Sequence, residues 1–279
     1  MQGKLCVITG ATSGVGLATA EGLARRGARL ALVARDRARG AAAIERLRSI
    51  SPSVDAILHF ADLARLSEVR RLADELLRAY PRIDVLVNNA GALFQRREVT
   101  ADGLERTFAL NHMAYFVLTE KLRGRLAESK PARIVSVASG AHQGVTLNLD
   151  DLNMAQYYDG WLAYRRSKLA NILWTRELTR RIHGSGVTAN ALHPGFVATR
   201  FGDNNRGWFG LLLGIGKRVA ALRPEQGAET VVYLASAPGL DATSGGYFVK
   251  SALAAPSDAA QDDGAARRLW DASERFAQL

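Results

Sequence analysis

The feature of this sequence that most constrains its fold is an alternation between short apolar runs and longer stretches of helical period. The apolar runs, rich in β-branched and aliphatic residues, are Leu5–Ile8, Arg29–Val33, Val54–His59, Ile83–Val87, Arg133–Val137 and Val187–Leu192. Short runs with so few polar positions indicate strands that are buried on both faces, as in a parallel sheet. Because crossovers between parallel strands are right-handed, the pattern predicts an α/β fold, a doubly wound parallel sheet (Rossmann fold) with helices on both faces.

The length of the chain fits one domain of this kind. At 279 residues, 48% of them hydrophobic, it can bury a large core and still stays within the single-domain range for α/β architectures. We therefore expect a single domain over 1–279. Residues 196–223 depart from the pattern, since Gly, Asn and Arg mix there with the apolar patch Trp208–Leu213. We interpret this segment as a substrate lid, with a small helix packed on the core as the alternative.

The composition argues against several classes of function. The net charge of +10 comes from arginines scattered through helical stretches, often beside acids as in Glu45-Arg46, so we predict no nucleic-acid partner. The single cysteine, Cys6, excludes an internal disulfide and a CxxC pair, and the five histidines lack metal-ligand spacing, so we predict no metal. No apolar stretch is long enough to span a membrane, and Met1–Lys4 leave no room for a signal peptide. We expect a cytoplasmic protein.

A glycine turn follows the first strand and leads directly into a helical pattern. Gly10 permits a tight turn, Gly14 lets the backbone approach a pyrophosphate, and Gly16 lets the helix pack close to the sheet. The start of that helix offers amide groups and a positive dipole to an anion. The segment predicts a dinucleotide site formed by Gly10, Thr12, Ser13, Gly14, Val15 and Gly16.

The end of the second strand predicts which dinucleotide binds. Ala34 occupies the place where an acid would bond the ribose 2′-hydroxyl of NAD, and Arg35 follows it with a planar guanidinium suited to a 2′-phosphate. This favours NADP(H). The alternatives are that Arg35 pairs with Asp36 or starts a helix cap, and that Asp36 itself turns toward the ribose.

Tyr164 and Lys168 are four residues apart in a helical stretch, so their side chains share one face. An ammonium close to a phenol favours the phenolate, so we expect Lys168 to lower the pKa of Tyr164 and to make proton exchange possible at neutral pH. Taken alone, a tyrosine and a lysine at this spacing are common on solvated helices. Their meaning depends on the other motifs of the chain.

In order along the chain, these motifs are Thr9-Gly10-x-x-x-Gly14-x-Gly16, Asp62-Leu63, Asn88-Asn89-Ala90-Gly91, Asn111, Ser139, Tyr164-x-x-x-Lys168 and Pro194-Gly195-x-Val197-x-Thr199. Together they resemble the short-chain dehydrogenase/reductase superfamily over essentially the whole chain. Leu169-Ala170-Asn171 after the lysine and His193 before Pro194 are similar to the retinol dehydrogenase-like subgroup. That subgroup often reduces bulky apolar aldehydes and ketones.

The resemblance implies a role for each motif. Tyr164 is then the general acid or base, Ser139 bonds the substrate oxygen, and Lys168 lowers the pKa of Tyr164 and binds the nicotinamide ribose. Asn111 holds a water in a proton relay, Asp62 contacts the adenine, Asn88 and Gly91 line the cofactor cleft, and Thr199 holds the carboxamide. The remaining cofactor residues of the resemblance are Leu63, Asn89, Ala90, Pro194, Gly195 and Val197. His142 is a further candidate for contact with substrate.

The sequence thus predicts an oxidoreductase that transfers hydride between NADP(H) and the carbonyl or alcohol group of a bulky hydrophobic substrate. One alternative is a non-catalytic NADP-binding sensor or scaffold. Another, within enzymes, is an epimerase or dehydratase that retains its cofactor. The long helices from Leu104 and Leu162 are candidates for the seam of a homodimer or homotetramer.

Overall fold

The computed structural model describes residues 1–197 and 222–278, and each of the six apolar runs forms a strand in it. The strands are β1 (Leu5–Thr9), β2 (Arg29–Ala34), β3 (Ala56–Phe60), β4 (Val85–Asn88), β5 (Ala132–Val137) and β6 (Val187–His193). They pair in parallel in the order β3-β2-β1-β4-β5-β6. The predicted doubly wound sheet is confirmed.

Two short strands that we did not predict extend the sheet beyond β6. The strand β7 (Tyr247–Val249) is parallel to β6, and β8 (Ala252–Ala254) is antiparallel to β7. Lys250 and Ser251 connect them, both at positive φ, as a two-residue hairpin turn requires. Strands of three residues are too short to show a period, which is why the sequence did not reveal them. The sheet is therefore mixed at this edge.

The helices of the described ranges alternate with the strands, and the last of them follows β8. They are α1 (Gly14–Ala24), α2 (Arg37–Ile50), α3 (Leu66–Ala79), α4 (Arg106–Phe108), α5 (Ala114–Glu128), α6 (Gly160–Arg181), α7 (Pro224–Ser236) and α8 (Asp263–Ala277). A π-helical segment, Ala109–Met113, joins α4 to α5, and one turn of 3₁₀ helix, Gly140–His142, follows β5. In the part of the chain described, no helix is both long and apolar enough to cross a membrane.

Helices cover both faces of the sheet. In β1, the side chains of Cys6 and Ile8 join the core formed with α1, α2 and α7, whereas Val7 joins the core formed with α3, α5, α6 and α8. Successive side chains of a strand point to opposite faces, so a strand covered on both sides is apolar at every position. This explains why the runs in the sequence do not alternate with polar residues.

The topology places a crevice at the carboxyl ends of the strands. Because β1 pairs with both β2 and β4, the chain order reverses there, and ligands of open α/β sheets bind at such a point. The Thr9 hydroxyl oxygen holds its two sides together, accepting hydrogen bonds from the backbone amides of Asn89 at 2.8 Å and Ala90 at 3.0 Å. The end of β1 is thereby fixed to the segment after β4.

The segment that we interpret as a lid is described only at its two ends. Val197 and Leu222 form a parallel bridge, and the Leu222 amide donates to the Phe196 carbonyl at 2.7 Å. The apolar patch Trp208–Leu213 and Thr199 lie outside the described residues. The choice between a lid and a packed helix, and the role of Thr199, stay predictions.

Candidate active site

A cavity of about 630 Å³ runs along the carboxyl ends of the parallel strands. The predicted site residues that line it are Gly10, Thr12, Ser13, Gly14, Val15, Gly16, Arg35, Asp62, Leu63, Asn89, Ala90, Gly91, Ser139, Tyr164, Lys168, Pro194, Gly195 and Val197. Among the described residues that we predicted, Asn88, Asn111 and His142 are not on its wall. The fold thus brings motifs from the whole chain together in one cavity.

The glycine turn brings α1 into direct contact with the ends of β1 and β4. Gly10 has φ +66°, and a Cβ there would lie 2.9 Å from the Ala90 Cα. A Cβ on Gly16 would lie 2.3 Å from the Gly10 carbonyl oxygen and 2.5 Å from Asn89 Nδ2, too close for any side chain. Asn89 Nδ2 also donates to the Thr9 carbonyl at 2.8 Å. The contribution of Thr9 was missed by the sequence reasoning.

The first turn of α1 forms what we call the nucleotide end of the cavity. Ser13 occupies the N-cap position, and among the described residues it makes no side-chain cap to the helix. The first turn, Gly14 to Leu17, contains no acidic residue. Its amide groups and the positive end of the helix dipole therefore face the cavity without a carboxylate, and such a helix start binds phosphate groups.

Two arginines lie at the far side of the nucleotide end. Arg35, which is exposed, lines the cavity, and so does Arg39 in the first turn of α2. Asp36 caps α2, because its Oδ1 accepts from the Arg39 amide at 2.8 Å, and its Oδ2 lies 3.6 Å from Arg39 Nη2. Arg39 was missed, although its place three residues after the capping Asp36 was a readable signal.

The predicted catalytic side chains form what we call the reaction end. Tyr164 and Lys168 share one face of α6, with Lys168 Nζ 5.7 Å from the centroid of the Tyr164 ring and donating to the Val137 carbonyl at 2.9 Å. Ser139 Oγ accepts from the Ala141 amide at 3.1 Å and is hydrogen-bonded to Tyr164. A hydroxyl group can accept one bond and donate its own hydrogen at the same time, so Ser139 can donate to Tyr164.

The electrostatics of this pair run against our expectation from the sequence. Burial raises the pKa of Tyr164 to about 12, and the hydrogen bond from Ser139 only partly opposes this. Burial also lowers the pKa of Lys168 to about 7. Dry surroundings disfavour the charged form of each group, so the pKa of Tyr164 lies above its ordinary value of 10 rather than below it, and the lowering that we expected from Lys168 stays a prediction. At neutral pH, Tyr164 carries its proton.

Asn111 lies behind the cavity wall, in the π-helical segment. Its side chain exchanges two hydrogen bonds with the Ala92 backbone, both 2.9 Å, and Nδ2 also donates to Ser167 Oγ at 2.9 Å. It is completely buried and fixes the segment after Gly91 against α6. The expected water-holding role stays a prediction. The expectation that Asn88 lines the cleft is wrong, because Asn88 is fully buried and donates to Thr119 Oγ1 at 3.0 Å.

Apolar side chains that we did not predict also line the cavity. Trp161 stacks on Tyr164, with ring centroids 5.7 Å apart and an interplanar angle of 19°, and it remains 42% exposed. Phe94, Leu110 and Phe196 also line the cavity. The sequence reasoning missed these four residues. Trp161 was detectable, since it precedes Tyr164 by three residues and so shares its helix face.

Comparison with known proteins places the chain in a family. Residues 4–208 match the family model for short chain dehydrogenases. Human retinol dehydrogenase 14 is 42% identical, over 98% of this chain and 86% of that protein. An uncharacterised protein from Mycobacterium paratuberculosis has a crystal structure that is 34% identical and superposes with a TM-score of 0.80, covering 100% of this chain and 94% of that one.

A short chain dehydrogenase from Burkholderia cenocepacia, solved in complex with NADP, is 28% identical with a TM-score of 0.69, covering 88% of this chain and 96% of that one. The sequence match, the sheet topology and the arrangement of motifs around one cavity agree. The chain belongs to the short-chain dehydrogenase family of oxidoreductases and is similar to its retinol dehydrogenase members.

Proposed function

We propose that this protein reduces the carbonyl group of a bulky hydrophobic substrate with NADPH, reversibly, and that Tyr164 is its general acid and base. The observation that carries the proposal is the assembly of Ser139, Tyr164 and Lys168 on the wall of a cavity that continues to the glycine turn. NADPH, when bound, supplies the hydride for the substrate carbon. Everything else in the reaction is the task of side chains on β5 and α6.

The residues of the nucleotide end fit NADP(H). The close packing at Gly10 and Gly16 and the start of α1 provide a cradle for a pyrophosphate. Arg35 and Arg39 offer two guanidinium groups to a 2′-phosphate, while the Asp36 carboxylate is engaged in capping α2. The Burkholderia cenocepacia relative was solved with NADP. These observations support NADP(H) rather than NAD(H).

The protonation state of Tyr164 suits the proton-donating step of a reduction. With a pKa of about 12, Tyr164 holds a proton at neutral pH and can give it to a substrate oxygen as charge develops there. Ser139 lies beside it as a second hydrogen-bond donor, and such a donor contributes ~3 kcal/mol to transition-state stabilisation. Lys168 donates to the Val137 carbonyl and lies under the same wall.

The surroundings of the reaction end support an apolar substrate. The indole of Trp161 stacks on Tyr164, and Phe94 and Leu110 add apolar side chains to the cavity wall, on which the charged Glu98 and Arg106 also lie. The human relative that is 42% identical to this chain carries the name retinol dehydrogenase 14. We therefore include a retinoid among the substrates to be tested.

The proposal is tested with a panel of aldehydes and ketones that includes retinal, decanal and benzaldehyde, followed by NADPH absorbance and run in parallel with NADH. We expect turnover with bulky apolar carbonyl compounds and kcat/KM at least ~10-fold lower with NADH. A preference for NADH would refute the assignment of Arg35.

Two other outcomes would replace the proposal. Cofactor binding without turnover, with Tyr164→Phe behaving as the wild type, would indicate a sensor or scaffold. Substrate conversion without net consumption of NADPH would indicate an epimerase or dehydratase. A cytoplasmic location and a homodimer or homotetramer stay predictions.

A further inference from the structure

The turn that carries Ser139 is held by two histidines outside the assigned catalytic set. Ser139 is the last extended residue before the 3₁₀ turn Gly140–His142. His142 lies at the end of this turn and is buried, and His193 approaches the turn from the end of β6. Each ring makes two hydrogen bonds to backbone groups. These bonds define which ring nitrogen carries the proton.

His193 bridges two walls of the cavity. Its Nδ1 accepts from the Gly140 amide at 2.9 Å and from the Gly195 amide at 3.3 Å. A backbone amide can only donate, so Nδ1 is unprotonated and the proton of the neutral ring is on Nε2. A Cβ on Gly140 would lie 3.1 Å from His193 Nε2, so the absence of a side chain allows this approach.

His142 has the opposite arrangement. Its Nδ1 lies 2.7 Å from the Ser139 carbonyl oxygen, which can only accept, and its Nε2 accepts from the Ser257 amide at 3.1 Å. The proton of this ring is therefore on Nδ1. The ring also packs edge-on against Tyr247, with centroids 5.1 Å apart. His142 thus fixes the carbonyl of Ser139 to the segment before α8.

We propose that His142 and His193 are positioning residues, two neutral rings of opposite tautomer that together hold the Ser139 hydroxyl where it meets the substrate oxygen. The positioning role rests on the proposed reduction, whereas the tautomers follow from the backbone contacts alone. Neither ring needs to touch the substrate. A doubly protonated ring has no acceptor, so protonation of His193 removes the bond from the Gly140 amide, and protonation of His142 removes the bond from the Ser257 amide that anchors its ring.

The surroundings keep both rings neutral. Burial lowers the pKa of His142 and of His193 below the ordinary 6.5, and a charge on His142 lowers that of His193 further. The titratable and charged groups around them are Tyr164, Arg165 and Lys168 on α6, Tyr247 on β7, and Asp258 next to Ser257. Arg165 donates to the Ala141 carbonyl at 3.1 Å and is thereby directed at the same turn.

The first test reads the tautomers directly and needs no substrate. Nitrogen-15 NMR of the histidine rings in the intact protein at neutral pH distinguishes a protonated Nδ1 from a protonated Nε2. We expect His142 with its proton on Nδ1 and His193 with its proton on Nε2, the two being assigned from spectra of His142→Asn and His193→Asn. The same tautomer at both positions, or charged rings, would overturn the proposal.

The second test separates positioning from mere packing, using the carbonyl compound that turns over best in the panel. The oxygen of an asparagine can replace Nδ1 of His193 as acceptor, whereas leucine cannot. We expect His193→Leu to lower kcat by ~10-fold or more with little change in KM, and His193→Asn to restore most of the loss. Equal losses in both variants, with unchanged melting temperature, would contradict the proposal.

His142 offers a matched pair of its own. Asparagine retains a donor for the Ser139 carbonyl, and glutamine retains an acceptor for the Ser257 amide. If His142 acts on Ser139, His142→Asn keeps a higher kcat than His142→Gln by several fold. The reverse order would show that the ring serves the Ser257 segment instead, and it would refute this half of the proposal.

The third readout is the pH profile of kcat. In the wild type, activity should fall as the pH drops through the lowered histidine pKa values, because the rings then lose their acceptor nitrogens. In His193→Asn this acid limb should move to lower pH or become less steep. An identical limb in the wild type, His193→Asn and His142→Asn would contradict the proposal. If no carbonyl compound turns over, the proposed function fails, and the NMR result still decides the tautomers.

Discussion

The two ends of the cavity differ in whether the backbone or the side chains form the site. At the nucleotide end, backbone groups form most of the site. They are the turn at Gly10, the close contact at Gly16 and the amides that begin α1. At the reaction end, buried side chains form the site. The surroundings of Tyr164 and Lys168 are dry enough to shift both pKa values in the direction that favours the neutral form of each group.

This difference means that cofactor binding and catalysis are sensitive to different kinds of substitution. A backbone cradle depends on the space that glycines leave open, so adding a single methyl group damages it. The buried ammonium group of Lys168 opposes folding at neutral pH, because water would stabilise its charged form better. We therefore expect substitutions at the nucleotide end to affect affinity and those at the reaction end to separate activity from stability.

The largest effect is expected at the reaction end. Tyr164→Phe removes the proton that the substrate oxygen receives, and kcat should fall by ~10³-fold, within the range for loss of a general acid. The Kd of NADPH, measured by fluorescence titration, should stay within about threefold because the backbone cradle is intact. Tyr157→Phe is the matched control, since Tyr157 is 70% exposed and should keep full activity. A small loss in Tyr164→Phe would remove this residue from the mechanism.

The nucleotide end is tested by adding one methyl group. In Gly16→Ala the new Cβ meets the Gly10 carbonyl oxygen at 2.3 Å, and α1 must move away from the sheet. We expect the Kd of NADPH to rise ~100-fold, equivalent to about 2.7 kcal/mol. Gly124→Ala on α5, where a Cβ meets nothing within 4 Å, should instead stabilise the protein by ~0.5–1 kcal/mol. Unchanged affinity in Gly16→Ala would show that the turn is not the cradle.

Lys168→Met should lower turnover and yet stabilise the fold. Between pH 10.5 and about 7 the unfolded chain binds a proton that the folded protein does not, so this lysine makes wild-type stability rise with pH across that window. The gain on removing it is largest at pH 7 and below, ~2–3 kcal/mol after allowance for relaxation, and disappears toward pH 10.5. Urea denaturation at several pH values measures it. A destabilised variant at pH 7 would mean that Lys168 is not held in an unfavourable setting.

The smallest predicted change tests the arginine that the sequence reasoning missed. Arg39→Ser leaves the backbone amide that Asp36 accepts from, so α2 keeps its cap. We expect the Kd of NADPH to rise by ~10-fold and that of NADH to stay unchanged, since NADH has no 2′-phosphate. Arg48→Ser on the same helix, where Arg48 pairs with Glu45 away from the cavity, should alter neither value. Equal losses for both cofactors would refute a role in phosphate recognition.

The same contrast explains what could be predicted from the sequence. The apolar runs, the turn at Gly10 and the spacing of Tyr164 and Lys168 are local patterns. The sequence could therefore predict the parallel sheet and most of the cavity wall. The pKa of Tyr164 could not be predicted, because its direction depends on how deeply the fold buries the phenol and the ammonium. The edge strands β7 and β8 were not predicted, because a run of three residues is too short to show the alternation of a strand.

Direct hydride transfer at the reaction end is tested most directly by isotope transfer. NADPH deuterated at the transferring position is incubated with the protein and the best carbonyl compound of the panel, and the alcohol is analysed by mass spectrometry. We predict one deuterium on the former carbonyl carbon for each NADPH consumed, and none above background with Tyr164→Phe. Alcohol without deuterium, or deuterated alcohol formed equally well by Tyr164→Phe, would contradict the account.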